Sequence, residues 1–275
     1  MLRSGIGMKI AFTTLSCPNW SWEHILNETT RLKYDGIEIR GIEGEMFLPK
    51  ARPFLPENLE KTLEQLHSKQ IKIIGLNTSC QFHDLDKYDG FIAEGKAHID
   101  LAQKLGVPYI RIFGNNVPDP SQKEQIIARI TRGIQELCDY GSERNVRILL
   151  ETHGDFSDLD HMVPVLDKVT GANLGVLWDM EHTYKRYGNT IEPFIEKIFP
   201  YIEHVHVKDT KKVNGRFQLC FIGDGEVPIK KNIELLKKNG YTGYLSLEWE
   251  KKWHPELEEP EVVLPAFIQY IRAFV

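Results

Sequence analysis

No run in this sequence approaches the roughly 18–20 consecutive apolar residues that a helical bilayer span requires. A membrane-spanning protein is therefore not expected. Cysteine is scarce as well: Cys17, Cys80, Cys138 and Cys220 are widely spaced, form no Cys-x-x-Cys pair and follow no secretory segment. That usage fits reduced thiols and not a disulfide framework. Nor is positive charge in excess, since 34 Lys and Arg stand against 39 Asp and Glu for a net charge of −5. Without a basic stripe, nucleic acid is not expected as the main partner, and small molecules are favoured. Residues 1–7 carry Arg3 but no apolar segment behind it, so they read as a flexible N-terminal extension and not as a signal peptide; Met8 is an alternative start. A cytoplasmic protein is expected.

What the chain does have is regular alternation. Strand-like segments at 9–14, 36–40, 71–77, 109–113, 147–151, 174–179, 202–207 and 244–248 are separated by helix-like ones, including 22–33, 57–69, 91–105, 122–144, 229–239 and 265–275. Eight such pairs predict an α/β fold with a parallel sheet, and 275 residues suit a single-domain (β/α)8 barrel spanning 1–275. Gly106 is placed as the C-cap of the third helix and Ser121 as the N-cap of the fourth. One insertion, 209–227, contains Asn214-Gly215 between two alternating stretches and predicts a small hairpin over the barrel mouth.

Four apolar runs end in residues that bind hard metal ions: Leu149-Leu150-Glu151, Leu177-Trp178-Asp179, His204-Val205-His206 and Ser246-Leu247-Glu248. Their intervals of 28, 27 and 42 positions are about one strand, loop and helix each. Period-two alternation places Leu149, Glu151 and His153 on one face, as it does Leu177 with Asp179, His204 with His206 and Lys208, and Ser246 with Glu248 and Glu250. Closing the sheet into a barrel brings these faces together. Three carboxylates and an imidazole in a small volume repel unless a cation sits among them, so Glu151, Asp179, His206 and Glu248 predict one divalent metal ion. Oxygen donors with one nitrogen suit Mn2+, Mg2+ or Co2+; Zn2+ is compatible but less favoured.

The runs Leu-Leu-Glu151-Thr-His153, Trp-Asp179-Met-Glu-His182, His204-Val-His206-Val-Lys208-Asp209, Ile222-Gly-Asp-Gly-Glu-Val-Pro228 and Leu-Glu248, with Gly36-Ile-Glu38 on the second strand, resemble the xylose-isomerase-like TIM barrel superfamily. The resemblance covers essentially the whole chain. It implies a metal-dependent sugar or sugar-phosphate isomerase or epimerase, with Glu151 and Glu248 as the acid/base pair as well as metal ligands, and a homo-oligomer. In such enzymes an activated C–H next to a carbonyl loses its proton to a carboxylate and an enediolate forms. The superfamily also holds 3-dehydroshikimate and inosose dehydratases, which makes a lyase the alternative, and a non-catalytic carbohydrate-binding barrel is the third reading. The intact ligand set argues against the third. The nuclease branch needs further ligands, yet Phe217, Gln218 and Leu219 stand before Cys220-Phe221-Ile222-Gly223, and Phe113-Gly114 ends the fourth strand.

A small polyhydroxylated substrate is expected to meet His182, His153, Lys208 and Arg111. The resemblance implies that His182 acts on substrate hydroxyls; a surface position is its alternative. Lys208 could donate to a substrate carboxylate or hydroxyl, or be neutralised by Asp209 or Glu248. Arg111, on the inward face of the fourth strand, needs an anion, whether Glu151, Glu38 or the substrate. Glu38 and His204 read as supporting groups, Trp249 and Trp253 as possible walls of a sugar pocket, and the Gly223–Gly225 amides as a possible anion cradle.

Overall fold

The computed structural model describes residues 7–275; residues 1–6, most of the expected N-terminal extension, lie outside the described residues. Eight parallel strands close into a barrel: β1 (Lys9–Thr13), β2 (Gly36–Ile39), β3 (Ile73–Gln81), β4 (Tyr109–Phe113), β5 (Arg147–Glu151), β6 (Leu174–Asp179), β7 (Ile202–Val207) and, after a hairpin of β8 (Thr210–Val213) and β9 (Arg216–Leu219), β10 (Tyr244–Leu247). The order β1-β10-β7-β6-β5-β4-β3-β2 joins the last barrel strand to the first, so the sheet has no free edge. The single-domain (β/α)8 expectation holds.

Nine helices among the described residues surround the barrel: α1 (Trp22–Leu32), α2 (Pro56–Ser68), α3 (Tyr88–Leu105), α4 (Lys123–Ser142), α5 (Leu159–Lys168), α6 (Met180–Tyr187), α7 (Glu192–Ile198), α8 (Ile229–Lys238) and α9 (Pro260–Ile271). The longer ones bury an apolar stripe at helical spacing, as Ile126, Ile130, Ile134 and Leu137 do on α4. Among the described residues no helix is long and apolar enough to cross a membrane. Gly106 ends α3 at φ 68°, a left-handed cap that glycine adopts without Cβ strain.

Local chemistry moves some predicted boundaries. Ser121 does not cap α4: Asp119 accepts the Ser121 N–H, a 3-10 turn covers Pro120–Gln122, and Gln122 precedes α4 without a side-chain cap. The last helix starts at Pro260, whose missing N–H costs nothing in a first turn, and carries Pro265 in its interior. The third helix begins at Tyr88, one turn before the predicted Phe91.

The barrel interior is layered. Tyr109, Leu149 and Leu177 form a separate apolar cluster inside the barrel. The Tyr109 ring lies where a side chain at residue 75 would stand, which requires Gly75. Inward-pointing residues farther along the same strands are polar: Arg111, Glu151 and Asp179 follow Tyr109, Leu149 and Leu177 by two. A plugged floor leaves the C-terminal rim as the place where these buried charges can meet a ligand.

Candidate metal centre and active site

Glu151 ends β5, Asp179 ends β6, His206 lies on β7 and Glu248 follows β10. Register aligns them: Asp179 pairs with His206, and His206 with Ser246. One ligand atom from each of the four lies within 4.8 Å of the others, and all four residues are buried. His206 Nδ1 is 3.4 Å from Glu248 Oε2 and 3.9 Å from both Glu151 Oε1 and Asp179 Oδ2.

The orientation of that imidazole is set from behind. Its Nε2 lies 3.0 Å from Glu38 Oε1, while Glu38 Oε2 takes His204 Nε2 at 3.0 Å and the Ser246 hydroxyl at 2.8 Å. A buried carboxylate can only accept these bonds, so Nε2 carries a hydrogen and Nδ1 is the atom turned to the carboxylates, its lone pair open to a cation once any proton there is displaced. Burial opposes a charge on Glu38, but the two histidines outweigh it and hold its pKa well below the ordinary value. The expected supporting roles of Glu38 and His204 are what the geometry shows.

The donor set fits a divalent cation. Glu151 Oε2, Asp179 Oδ2 and His206 Nδ1 are buried without an aligned hydrogen bond, the two oxygens meeting only the ion contacts of Arg111 and Lys208, and a shared cation would satisfy all three. Asp179 is doubly fixed: its Oδ1 accepts the N–H groups of Glu181 (2.8 Å) and His182 (2.9 Å) as the cap of α6, and its Oδ2 faces the centre beside Lys208 Nζ.

Two cations already share the site. Lys208 Nζ contacts Glu248 (2.7 Å), Glu250 (2.7 Å) and Asp179 (3.1 Å); burial opposes its charge, but these carboxylates hold its pKa well above the ordinary value. Of its two expected neutralising partners Glu248 is correct and Asp209 is not. Asp209 instead accepts the backbone N–H groups of Thr210, Gly223, Gly225 and Val227, which also removes the Gly223–Gly225 amides as a cradle for an outside anion. Arg111 Nε lies 3.1 Å from Glu151 Oε2, a close ion contact without hydrogen-bond alignment, and its guanidinium stacks on Phe113 at 3.9 Å. Glu151, not Glu38, is its partner in the fold.

The two candidate acid/base carboxylates have unlike environments. Burial raises Glu151 to about 7, only partly offset by Arg111, and Glu248 pushes it further up. For Glu248 the opposing effect of burial is overcome by His206 and Lys208, so it is held well below the ordinary carboxylate value. In the metal-free chain, Glu151 is the carboxyl that more readily carries a proton.

Two chambers open beside the cluster. The larger, about 450 Å3, is lined by His153, His182 and Lys185 on one side, Phe217 and Gln218 of the hairpin above, and Glu250 and His254 opposite. His153 and His182 lie 4.3 Å apart, centroid to centroid. Burial, then Lys208, depresses both, His153 to about 4, so they present neutral rings to a ligand. His182 is thus a cleft residue and not a loose surface histidine. The smaller chamber, about 200 Å3, is lined by Arg40, Arg111, Phe113, Glu151, Glu248 and Trp253, among others. Trp253 fits its expected place as a wall, but Trp249 does not. It is buried outside the barrel, stacks on Phe221 and donates to the Glu258 carbonyl.

Glu181 and Arg40 are site residues that the sequence did not single out, and Glu250, already on the inward face, was given no role. Glu250 and Arg40 were within reach, since each follows a site residue, Glu248 and Glu38, by two. Glu181 gave no such signal; it is buried beside the cluster and paired with Lys185.

Sequence and structure comparisons give a consistent picture. The chain is 24% identical to the inosose isomerase of Halalkalibacterium halodurans over 85% of this chain and 84% of that protein. It is 21% identical to the fructoselysine 3-epimerase of Shigella flexneri over 98% of each. The crystal structure of IolI protein with a bound zinc atom superposes with a TM-score of 0.81 at 22% identity, covering 97% of this chain and 98% of that one. The family model for the xylose isomerase-like TIM barrel matches residues 26–272, and with its closed eight-stranded barrel this chain belongs to that family.

Proposed function

We propose that this protein is a divalent-metal-dependent isomerase or epimerase that moves a proton next to the carbonyl of a polyhydroxylated substrate, a sugar or sugar phosphate, through an enediolate. The observation that carries the reading is the convergence of Glu151, Asp179, His206 and Glu248, three of whose buried ligand atoms lack a hydrogen bond, at the open end of the barrel. The names of the two relatives, an isomerase and an epimerase, support the same reaction class. The four residues would hold the ion, and when bound it would polarise the substrate carbonyl and adjacent hydroxyl and so acidify the C–H beside the carbonyl. Mn2+, Mg2+ or Co2+ suits the donors best, and the zinc of IolI places Zn2+ among the ions to test.

The protein groups divide the remaining work. One of Glu151 and Glu248 takes the proton from carbon and the other returns one, to the opposite face for epimerisation or through the neighbouring carbon for isomerisation. Lys208 keeps Glu248 in place and charged. His153 and His182, neutral and side by side, hydrogen-bond substrate hydroxyls, while the β8–β9 hairpin covers the cleft and limits water access.

The test is solvent deuterium incorporation across ketoses, ketose phosphates, inososes and 3-dehydroshikimate, with products identified by NMR. Metal-dependent exchange at one carbon, reduced at least about 100-fold in Glu151→Gln, is the expected outcome. Loss of water from the substrate would assign the dehydratase alternative. Exchange that survives both metal removal and Glu151→Gln would sink the mechanism.

A further inference from the structure

We infer that the smaller chamber beside the four-ligand cluster is an oxyanion subsite, so that the substrate of the reaction proposed above carries a terminal carboxylate or phosphate. This deepens that reading and rests on it for the reaction, though not for the binding.

Arg40 carries the argument. It stands just past β2, is 7% exposed and lines the chamber. Its Nη2 donates to the Ser79 hydroxyl at 2.7 Å, its Nη1 is buried without a hydrogen-bond partner, and among the described residues it makes no ion pair. Glu94, Glu151 and Glu248 act on it only from a distance, and burial followed by Arg111 lowers its pKa to about 10. A buried guanidinium without a carboxylate is rare in a folded protein, because its desolvation is repaid only by an anion. Among the described residues no carboxylate pairs with Arg40: Glu151 and Glu248, which share the chamber lining, belong to the four-ligand cluster, and Glu250, also on the lining, is paired with Lys208.

Arg111 offers a second donor to the same space. Glu151 approaches its Nε, Phe113 covers its face, and its Nη1 is buried and unpartnered. Ile39 pairs with Leu76 and Asn77 with Arg111, which puts Arg40, Asn77 and Arg111 at one level on successive strands. Both amide atoms of Asn77 are buried without partners too. Two planar forks aimed at one small chamber match the oxygens of a carboxylate or phosphate, and such an anion would also separate two like charges. A neutral hydroxyl would leave that repulsion in place.

The experiment follows thermal stability and calorimetric binding of the full-length, Mg2+-loaded protein with glycerate, inorganic phosphate and glycerol as probes. Wild type is expected to bind and be stabilised by at least one oxyanion but not by glycerol, and a tenfold preference between glycerate and phosphate would name the oxyanion. In Arg40→Met that affinity should fall at least tenfold, while the melting temperature without anion stays at or above that of wild type because an unpaired buried charge has been removed. Arg40→Lys should retain part of the affinity. Equal oxyanion affinity in wild type and Arg40→Met would overturn the subsite, since binding would then be to the metal alone. A fall in the anion-free melting temperature of Arg40→Met with no anion effect on wild type would overturn it in favour of a purely structural arginine. Deuterium exchange with a neutral ketose as efficient as with its anionic counterpart would remove the subsite and leave the isomerase reading standing. Arg40-dependent anion binding with metal-independent exchange would do the reverse.

Discussion

Replacing Glu38 by glutamine exchanges one buried oxygen for an NH2 group and leaves the shape nearly unchanged. Glu38 accepts from three donors: His206 Nε2, His204 Nε2 and the Ser246 hydroxyl. An amide nitrogen cannot accept, so one of these donors must lose its partner or a histidine must change tautomer. If His206 changes, Nε2 becomes an acceptor and Nδ1 acquires a hydrogen aimed at Glu248, 3.4 Å away, where the lone pair for the metal had been. Loss of such a partner behind a ligating histidine costs about 10–100-fold in metal affinity. That is about 1.4–2.7 kcal/mol of metal-induced stabilisation at fixed free metal. For a chain of this size it narrows the gap between metal-loaded and metal-free melting temperatures by roughly 3–10 °C. Competition with a chromogenic chelator gives the affinity, and paired thermal melts give the gap. A Glu38→Gln protein that folds and binds metal within twofold of wild type would refute the tautomer argument.

Metal affinity should rise with pH through the neutral range. In the metal-free chain burial works against a proton on His206, but Glu248 and then Glu38 outweigh it and hold the pKa well above its usual value; Glu151 lies at about 7. Metal must displace protons from both, so affinity falls as pH falls. Calorimetry in buffers of different ionisation enthalpy should show net proton release on binding, and none at neutral pH would contradict this picture. At the roof, Asp209→Asn retains only one strong acceptor oxygen for four N–H groups and should cost the hairpin about 1–3 kcal/mol locally. Limited proteolysis near Asn214-Gly215 should accelerate while the barrel core stays protected; unchanged cleavage would show that the hairpin is held elsewhere.

Strand periodicity made most of the site legible. A barrel strand has only two faces, so once Glu151, Asp179, His206 and Glu248 share a parity and a unit-length spacing, closure alone brings them together. The same parity argues against Trp249 as a pocket wall: it neighbours the inward Glu248 and must point outward, where it is packed against Phe221. Asn214 and Gly215 adopt the positive φ values, 51° and 78°, that a tight hairpin turn demands, and so the hairpin too could be read locally. The start of the last helix could not, because Pro260 and Pro265 both satisfy a first-turn preference and packing decides between them.

Parity says which face a charge occupies but not which partner it finds. Lys208 had candidate carboxylates both next to it, Asp209, and 40 positions on, Glu248, and choosing Glu248 and Glu250 over Asp209 depended on four backbone N–H groups between 210 and 227 that claim Asp209 first. Arg111 was equally undetermined until the register of β4 with β5 brought Phe113 level with Glu151 and so placed the guanidinium beside that carboxylate. Each of these choices is an allocation of a limited supply of acceptors among buried donors, so it is settled only when every competing donor has been placed. For Arg40 that allocation leaves only the Ser79 hydroxyl and, among the described residues, no carboxylate. An unfilled demand of this kind at the rim of a plugged barrel is a property of the whole interior, and it points outward, to the chemistry of what the chain binds.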